Sequence, residues 1–404
     1  MKPEGTQALS GRAAACLAAV LAAWSLGLPA GLRAQIGPVP PVKLPPVIVT
    51  ANAPRIAPLI KTGEFEMREA RYQPAAVAQG DFIYIIGGSS SHDSTLDSVE
   101  RFNVRTGKSE DFAKLRIGRR GHQAVLIENR IYVLGGFATQ SYQTARAAGS
   151  AGTDLSFDIT APRVTNPNDL PDPTAGDYAR RSLSRLGEDS ISIVEFLGLE
   201  QSVEVIDLPT RKVTRAADMP DARAQFGCVA RGGKIYVIGG QRLYRQARLA
   251  HTNTVKIFDP AMDKWSDGVP MPTPRDSPGV LVDGLVIVVP GGYDGWKTRA
   301  EVEVFNPGDN RWRILPPLCR PTSTHSLVFL DHYLFFFGDD ESPGDLVAYD
   351  LAAKLSEVFP LQYKPARHTA AVVDEGKIYV IGGKITPWAD ALNSIQVFAL
   401  RSKQ

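Results

Sequence analysis

Ile235-Tyr236-Val237-Ile238-Gly239-Gly240 is an apolar run closed by two glycines, and it decides the fold because the chain repeats it. β-Branched and aromatic residues that end at turn-forming residues predict a strand. Five further segments have the same form and end in a glycine pair or its remnant: 82–88, 131–136, 288–292, 335–339 and 378–383. Counted from the first glycine, successive steps are 48, 104, 52, 47 and 44 residues. Recurrence at this spacing predicts a repeat architecture.

Each period holds four predicted strands, which we name a to d. In the repeat around Gly239 they are 226–230, 235–238, 255–258 and a strand that begins near Trp265. Four antiparallel strands per repeat of roughly 50 residues predict the blade of a β-propeller. The sequence therefore predicts an all-β fold with six blades, and the step of 104 residues contains one period and an insertion.

Three features make these repeats resemble those of the Kelch family. A glycine doublet closes strand b, an aromatic residue lies in strand c, and a Trp begins strand d. The matching residues are Phe102, Phe258, Phe305, Tyr349 and Phe398 in strand c, and Trp265 and Trp312 in strand d. Ile206 and Asp339 depart from the pattern. The resemblance covers residues 62–400 and implies a single six-bladed, galactose-oxidase-like β-propeller.

We expect the glycine doublets to be structural, because strand b ends beneath the backbone of a neighbouring blade. Glycine permits that close approach and a positive φ. No helix is predicted after any doublet, which excludes a phosphate-binding loop. The intact doublets are Gly87-Gly88, Gly135-Gly136, Gly239-Gly240, Gly291-Gly292 and Gly382-Gly383.

The last repeat has predicted strands a, b and c but no strand d. Ahead of the first repeat, segment 63–67 and Arg71 resemble 213–219 and Arg223, which end another repeat. We therefore expect the N-terminal segment to supply the fourth strand of blade six. Such pairing would remove an exposed sheet edge and close the ring.

The first 61 residues predict export followed by a spacer. Residues 1–34 have a charged start, an apolar run at 13–28 and small residues at the end, as in a signal peptide. An uncleaved anchor is the alternative, but the run is shorter than the ~20 residues of a membrane span. The Pro-rich stretch 35–61 is expected to be a stiff linker, within which 47–51 resembles a TonB box. We expect a bacterial protein that is periplasmic or secreted, with no transmembrane span in its mature part.

Composition excludes some classes of partner. The formal net charge of +2 is carried by the signal peptide, so the remaining chain is neutral. A neutral chain without a Lys/Arg run is not expected to bind nucleic acid. Cys228 and Cys319 fall in repeats that are not neighbours, so we expect no disulfide. The sequence does not determine the oligomeric state.

An Arg recurs just before strand a and is the main candidate for ligand binding. It lies 16 residues ahead of the first glycine of the doublet in four repeats and 15 ahead in the last: Arg71, Arg119, Arg223, Arg275 and Arg367. Strand a is innermost in a propeller, so these side chains are expected at one mouth of the channel. Clustered guanidinium groups suit a carboxylate or another planar anion. The alternative is that each Arg binds backbone carbonyl groups and joins adjacent blades.

Two further features lie near that mouth. The insertion 137–201 belongs to the b–c loop of blade two and is either a cap or a surface excursion, with helical character at 178–199. His122, His325 and His368 lack a carboxylate at ligand spacing, so we expect no metal and no cofactor. The copper site of galactose oxidase, another Kelch propeller, has no counterpart here.

Two classes of function are considered. The first is a non-catalytic binding module for a protein or an anionic small molecule such as an acidic carbohydrate, because no nucleophile–base pair is evident. The second is a sugar mutarotase or epimerase, since bacterial N-acetylneuraminate mutarotase is an exported Kelch propeller. The acid/base Glu of that family aligns with Gln241, which cannot transfer the proton. The possible replacements are Asp339, Asp340 and Asp294 for the acid and Arg245 and Arg248 for the nearby Arg.

Overall fold

The structure of the protein is a computed structural model that describes residues 59–145, 182–186, 191–244, 248–323, 325–360 and 363–401. These residues form 31 strands and no helix. Accordingly, no helix in the described ranges could cross a membrane. The predicted all-β class is therefore confirmed for this part of the chain.

The strands of the N-terminal half form antiparallel sheets in chain order. Strand β1 is Leu59–Glu66. Sheet 1 contains β2 (Ala75–Gln79), β3 (Phe82–Ile86), β4 (Ser98–Asn103) and β5 (Lys108–Lys114). Sheet 2 contains β7 (Gln123–Ile127), β8 (Arg130–Leu134), β12 (Val203–Asp207) and β13 (Val213–Ala216). A separate sheet contains β6 (Arg119–Arg120), β9 (Phe137–Ala145), β10 (Ser182–Leu186) and β11 (Ile191–Leu199).

The C-terminal half continues the same arrangement. Sheet 3 contains β15 (Gly227–Arg231), β16 (Lys234–Ile238), β19 (Val255–Asp259) and β20 (Lys264–Asp267). Next to it, β14 (Arg223–Ala224), β17 (Gln241–Tyr244) and β18 (Arg248–His251) form a small sheet. Sheet 4 contains β21 (Leu281–Asp283), β22 (Val286–Pro290), β23 (Val302–Asn306) and β24 (Arg311–Leu315). Sheet 5 contains β25 (Ser326–Leu330), β26 (Tyr333–Phe337), β27 (Asp345–Asp350) and β28 (Leu355–Pro360). Sheet 6 contains β29 (Ala370–Asp374), β30 (Lys377–Ile381), β31 (Ser394–Leu400) and β1.

The strands of sheet 3 agree with the sequence prediction to within about one residue. The turn between β15 and β16 is made by Gly232 and Gly233, whose φ angles of +58° and +72° favour glycine. In each of the six sheets, four of the five residues of the second strand are buried, which explains its run of β-branched and aromatic residues.

The hydrophobic core lies between neighbouring sheets. Each of six apolar clusters draws on two sheets that follow one another, and one cluster joins sheet 1 to sheet 6. In that cluster Ile83 and Phe102 of sheet 1 pack with Tyr379 and Ile395 of sheet 6. Burial of one such side chain contributes about 1.5–3 kcal/mol, so these contacts hold consecutive sheets together.

The strand d tryptophans add a polar link between sheets. Trp265 donates a hydrogen bond from Nε1 to the carbonyl oxygen of Ala217 at 2.9 Å. Trp312 makes the equivalent bond to Val269, also at 2.9 Å. Each acceptor belongs to the preceding repeat, so the Trp that the sequence pattern singled out connects one repeat to the one before it.

Strand β1 lies beside β31, where the fourth strand of sheet 6 was expected. The two strands are antiparallel, with Leu59 opposite Leu400 and Glu66 opposite Ser394. The first strands of the sheets also contact each other in order, β2 with β7, β7 with β15, β15 with β21, β21 with β25, β25 with β29, and β29 with β2. Between them lies an apolar space of about 380 Å³ lined by residues such as Val77 and Leu327.

The insertion departs from the prediction at 178–199. Instead of a helix, its described residues form β10 and β11, and β11 pairs with β9 along its whole length. The helical expectation was therefore wrong for those residues. A partner strand satisfies the backbone hydrogen bonds there, and the β-branched residues Ile191, Ile193 and Val194 suit a strand. The rest of the insertion lies outside the described residues.

Candidate functional site

Four of the five predicted ligand-binding arginines are completely buried. Arg71, Arg119, Arg223 and Arg275 each have no solvent-exposed surface. Each donates from Nη1 to the carbonyl oxygen of the first glycine of its own repeat. The distances are 2.9 Å from Arg71 to Gly87, 3.1 Å from Arg119 to Gly135, 3.0 Å from Arg223 to Gly239 and 2.8 Å from Arg275 to Gly291. The second nitrogen of each guanidinium contacts a carboxylate.

Those carboxylates are buried as well in three of the four cases. The Nη2 atom lies 2.5 Å from Glu100 in Arg71 and 2.6 Å from Glu204 in Arg119. It lies 2.8 Å from Asp221 in Arg223 and 2.7 Å from Glu303 in Arg275. Removal from water lowers the pKa of Arg119, Arg223 and Arg275. The paired carboxylate opposes that shift by favouring the charged form. The guanidinium groups are thus engaged inside the protein.

The backbone of the same arginines binds the preceding repeat. The amide of Gly136 donates to the carbonyl oxygen of Arg223 at 2.8 Å, and the amide of Gly240 donates to Arg275 at 2.9 Å. A Cβ placed on Gly135 would lie only 2.5 Å from the carbonyl oxygen of Arg223, which shows why this position requires glycine. Each Arg therefore links two consecutive repeats, and this geometry favours the alternative that they join adjacent blades.

Arg367 differs from the other four. It lies 15 residues ahead of its doublet, and the repeat position of the buried arginines is occupied by Ala366, which is itself buried. The side chain of Arg367 instead lines a cavity of about 790 Å³ and forms an ion pair with Asp340. Its one-residue offset, visible in the sequence, marks the one predicted arginine that reaches this cavity.

Residues with the same offset contribute to the cavity wall in other repeats. Residues 15 positions ahead of the first glycine line it in five repeats: Tyr72, Arg120, Asp276, Ser323 and Arg367. The first four were not predicted from the sequence. The b–c loops that begin after the doublets supply further lining residues, among them Asp93, Gln241, Tyr293, Glu341 and Lys384. We call the end of the sheets that carries these loops the cavity face.

Tyr72 is the centre of a charged cluster on one side of the cavity. Lys384 Nζ lies 4.1 Å from the centre of its ring, and Arg120 Cζ lies 5.4 Å from it. The Tyr72 hydroxyl donates to Asp93 Oδ1 at 2.5 Å and contacts Arg120. Burial raises the pKa of Tyr72 to about 12, so the hydroxyl stays protonated. Two cations and one phenol thus surround a single carboxylate.

Asp276 is the centre of a second cluster. It is almost completely buried, and its Oδ2 lies 2.8 Å from His251 Nε2. Gln241 donates to the same oxygen at 2.5 Å and lines the cavity. The ring of His251 stands edge-on to Tyr293 with 5.6 Å between ring centres. No spacing rule in the sequence links His251 to Asp276, because they belong to different repeats.

The two candidate acids of the fifth repeat have different roles in the structure. Asp339 is buried and accepts hydrogen bonds from Thr322 Oγ1 and from the amides of Ser323, Glu341 and Ser342 at 2.8–3.0 Å. Its carboxylate therefore fixes the turn that follows Gly338. Asp340 lines the cavity, where it pairs with Arg367.

Asp294 and the candidate arginines lie elsewhere. Asp294 pairs with Arg299 at 3.1 Å and accepts from the amides of Trp296 and Lys297. Arg245 and the side chain of Arg248 lie outside the described part of the chain. The structure thus brings together only Asp340 and Arg367 from the predicted set.

The three histidines are held neutral. Burial lowers the pKa of His122 to about 3, of His325 to about 4 and of His368 to about 3. His122 and His325 line a small space of about 90 Å³ next to the main cavity. In the described ranges, no three His, Cys, Asp or Glu side chains are grouped so that they could hold a metal ion.

A chain of backbone hydrogen bonds forms the floor of the cavity. The amide of Gln73 donates to His368 at 2.8 Å, Gly121 to Gln73 at 3.3 Å, Gln225 to Gly121 at 2.8 Å and Ser277 to Gln225 at 2.6 Å. All five residues occupy the same repeat position and have a positive φ between +46° and +58°. This hydrogen-bonded floor joins five repeats without using a side chain.

Exposed apolar residues stand on the cavity face around this polar space. Trp296 and Trp388 are 93% and 94% exposed, and Trp388 also lines the cavity. Leu243 and Ile385 are the other large apolar residues exposed on these loops, within the described chain. The turn of Trp296 is fixed by the two hydrogen bonds to Asp294, so its ring is presented by an ordered loop.

Among known protein families, the model of the Kelch motif matches this chain at residues 70–116, 222–272 and 274–318. The chain contains Kelch repeats. Kelch-like protein 25 of Rattus norvegicus is 27% identical to it over 196 residues, which cover 44% of this chain and 32% of that protein. Kelch-like protein 38 of Homo sapiens is 26% identical over 216 residues, which cover 51% of this chain and 33% of that protein. The chain thus spans about a third of the length of these relatives, and their whole-protein activities do not transfer to it.

Proposed function

We propose that this Kelch-repeat protein is a non-catalytic binding module that docks a partner protein on its cavity face. The observation that carries the proposal is that two tryptophans of the b–c loops are almost fully exposed: Trp388, which lines the charged cavity, and Trp296, in the loop of the fourth repeat. Exposed aromatic residues that cluster on one surface mark interaction sites. Trp is also the residue type most enriched among those that dominate interface energies.

The polar cavity beside the tryptophans supports a protein as the partner. Its described lining carries three cations and four carboxylates, so both signs of charge are available. Protein interfaces combine an apolar anchor with polar groups around it. A flat apolar patch would bind less selectively than this combination of fixed rings and charges.

The architecture that we propose is a six-bladed propeller closed by β1. Six four-stranded sheets, the contact of β29 with β2 and the core cluster shared by sheets 1 and 6 support it. The amide of Gly383 also donates to the carbonyl oxygen of Arg71 at 2.9 Å, which repeats the link seen between consecutive repeats. In this arrangement the b–c loops of all six blades meet on one face, around the cavity.

We further propose that the protein is exported and acts in the periplasm or outside a bacterial cell. The support is the signal-peptide pattern of residues 1–34, followed by the Pro-rich spacer. Residues 1–58, including the TonB-box-like 47–51, lie outside the described part of the chain, whereas 59–61, which were expected to belong to the spacer, form the start of β1. Export would present the cavity face to partners outside the cytoplasm.

A photo-crosslinking residue at single positions tests the docking face. One variant replaces Trp388, and a matched control replaces Leu285, which is exposed in an a–b turn at the opposite end of its sheet. In the cell that exports the protein, we expect a discrete crosslinked species from position 388 and none from position 285. Equal crosslinking at both positions would contradict docking on the cavity face. The absence of a crosslinked species from position 388 would contradict it as well.

A further inference from the structure

The charges of the cavity are separated into two groups by repeat. Cations come from repeats 2 and 6 in the form of Arg120, Lys384 and Arg367. Acids come from repeats 4 and 5 in the form of Asp276, Asp340 and Glu341, with Asp93 as the exception. A cavity with such a division presents opposite charges to the two ends of anything that enters it.

Pairing inside the protein leaves a positive surplus on one side. Arg120 and Lys384 both lie near Asp93, at 3.9 Å and 3.3 Å, so two cations share this carboxylate. Nε of Arg120 and Nε of Arg367 are buried and have no hydrogen-bond partner among the described residues. These groups leave capacity for an incoming anionic group at the Tyr72 side of the cavity.

A negative surplus remains on the other side. Asp340 is matched by Arg367, whereas Asp276 forms no ion pair with an Arg or Lys of the described ranges and contacts the imidazole of His251 and the amide of Gln241. Glu341 is exposed and forms no ion pair with a described residue. The buried Gln241 Oε1 also has no partner among the described side chains. Acceptors for a cationic donor thus collect on this side.

We infer that the cavity binds a small zwitterion, a molecule with a carboxylate and an ammonium group such as a free amino acid or a dipeptide. The carboxylate lies by Arg120 and Lys384, and the ammonium lies between Asp276 and Glu341. A purely anionic ligand pairs with Arg120 and Lys384 but leaves the acids Asp276 and Glu341 without a partner. A neutral ligand pairs with neither the cations nor the acids.

The size of the cavity agrees with this class of ligand. Its volume of about 790 Å³ falls within the usual range of small-molecule pockets. A sphere of that volume is roughly 11 Å across, and an extended dipeptide spans roughly 7 Å. A free amino acid or a dipeptide therefore fits inside the cavity.

The ligand is also distinct from the partner protein proposed above. It contacts the wall of the cavity, whereas the partner is anchored by the rings at its edge. Trp296 does not line the cavity. Loss of one interaction therefore need not remove the other, and the two can be tested apart.

Calorimetry on the full mature chain tests the proposal with defined probes. The probes are the protein amino acids and dipeptides of glycine, alanine, lysine and glutamate, each compared with its N-acetyl derivative and its methyl ester. We expect a subset of free zwitterions to bind and each blocked derivative to bind about tenfold or more weakly, because each has lost one charge. If no zwitterion binds at millimolar concentration, or if N-acetylation leaves affinity unchanged, the proposal is overturned.

Matched variants then locate the two ends of the ligand. We expect Glu341→Gln to weaken binding of the free zwitterion but not binding of its N-acetyl derivative. We expect Lys384→Met to weaken binding of the free zwitterion but not binding of its methyl ester. The controls are Glu375→Gln and Arg130→Met, which alter exposed charges near a–b turns at the opposite end of the sheets. Equal losses in the controls would place the ligand elsewhere. Unchanged binding in Trp296→Ala, alongside lost crosslinking, would separate this site from the docking face.

Discussion

The amide of Gly383 donates a hydrogen bond to the carbonyl oxygen of Arg71 across 2.9 Å, although the two residues lie near opposite ends of the described chain. The same bond joins Gly136 to Arg223 and Gly240 to Arg275. The contact between the first and last repeats therefore has the chemistry of the contacts between consecutive repeats. Together with the pairing of β1 and β31, it places the two ends of the described part of the chain in one structural unit.

Removal of the N-terminal strand is expected to destabilise the whole protein. Deletion of 55–70 takes away β1 and exposes the edge of β31, as well as the apolar cluster that includes Met67. We expect this deletion to unfold the protein or make it aggregate, and deletion of 35–50 to leave the melting temperature unchanged. Differential scanning calorimetry of both truncations measures this. Equal melting temperatures would show that β1 is dispensable.

The buried ion pair of Arg119 and Glu204 is expected to be needed as a pair. Replacement of Arg119 by Met leaves the Glu204 carboxylate buried without its cation, and we expect a loss of about 3–5 kcal/mol in the free energy of unfolding. The double variant Arg119→Met/Glu204→Leu should recover a large part of that loss, since no charge remains buried. Urea denaturation measures the series, and exposed Arg130→Met serves as the reference near zero. A double variant less stable than Arg119→Met would contradict the argument.

Two glycines with the same φ separate backbone strain from close approach. Gly135 and Gly232 have φ angles of +56° and +58°. A Cβ on Gly135 meets the Arg223 carbonyl oxygen at 2.5 Å, whereas nothing lies within 4 Å of a Cβ on Gly232. We expect Gly232→Ala to cost about 1–2 kcal/mol and Gly135→Ala to cost clearly more. Chemical denaturation compares them, and equal costs would show that the backbone yields at Gly135.

Acid is expected to destabilise the protein through His122. Burial holds the pKa of this residue at about 3 in the folded state, against about 6.5 when unfolded. The unfolded chain therefore binds more protons between these values, and the free energy of unfolding falls as pH drops below about 6.5. The slope for one such histidine reaches about 1.4 kcal/mol per pH unit.

Denaturation at a series of pH values measures this slope. His122→Phe should reduce it between pH ~6.5 and ~4, because the variant has lost one group that gains a proton on unfolding. Replacement of the exposed Arg130 by Met is the control and should leave the slope unchanged, because an Arg side chain does not titrate in this pH range. A wild-type slope in His122→Phe would mean that His122 takes up its proton in the folded protein.

Stability and docking are expected to separate at Trp388. Its ring is almost completely exposed, so Trp388→Ala should change the free energy of unfolding by less than about 0.5 kcal/mol. Loss of an interface Trp that anchors a partner costs about 2 kcal/mol or more in binding. Crosslinking yield from a neighbouring position, such as Ile385, measures the second effect. An unchanged yield in Trp388→Ala would show that the ring does not anchor the partner.

The sequence predicted the features that all repeats share. The strands, the glycine doublets and the N-terminal segment could be located because each repeat packs against its neighbours in the same way. The equivalent hydrogen bonds of Arg71 and Arg119 are an example. The cavity was not predicted, since its residues at one repeat position differ: Tyr72, Arg120, Asp276, Ser323 and Arg367. The contact of His251 with Asp276 depends on the folding of two repeats against each other. In the insertion, no pattern in the sequence revealed which strand would pair with β11.

The backbone floor of the cavity has a consequence for how such a protein can diversify. The residues of this floor bind one another through backbone amides and carbonyl groups: Gln73, Gly121, Gln225, Ser277 and His368. Many different side chains at these positions would leave those hydrogen bonds in place. The residue just before each of them can therefore change in one repeat without a compensating change in the others. A series of similar repeats thus acquires an asymmetric recognition surface one substitution at a time, and new ligands can evolve while the packing of the repeats is conserved.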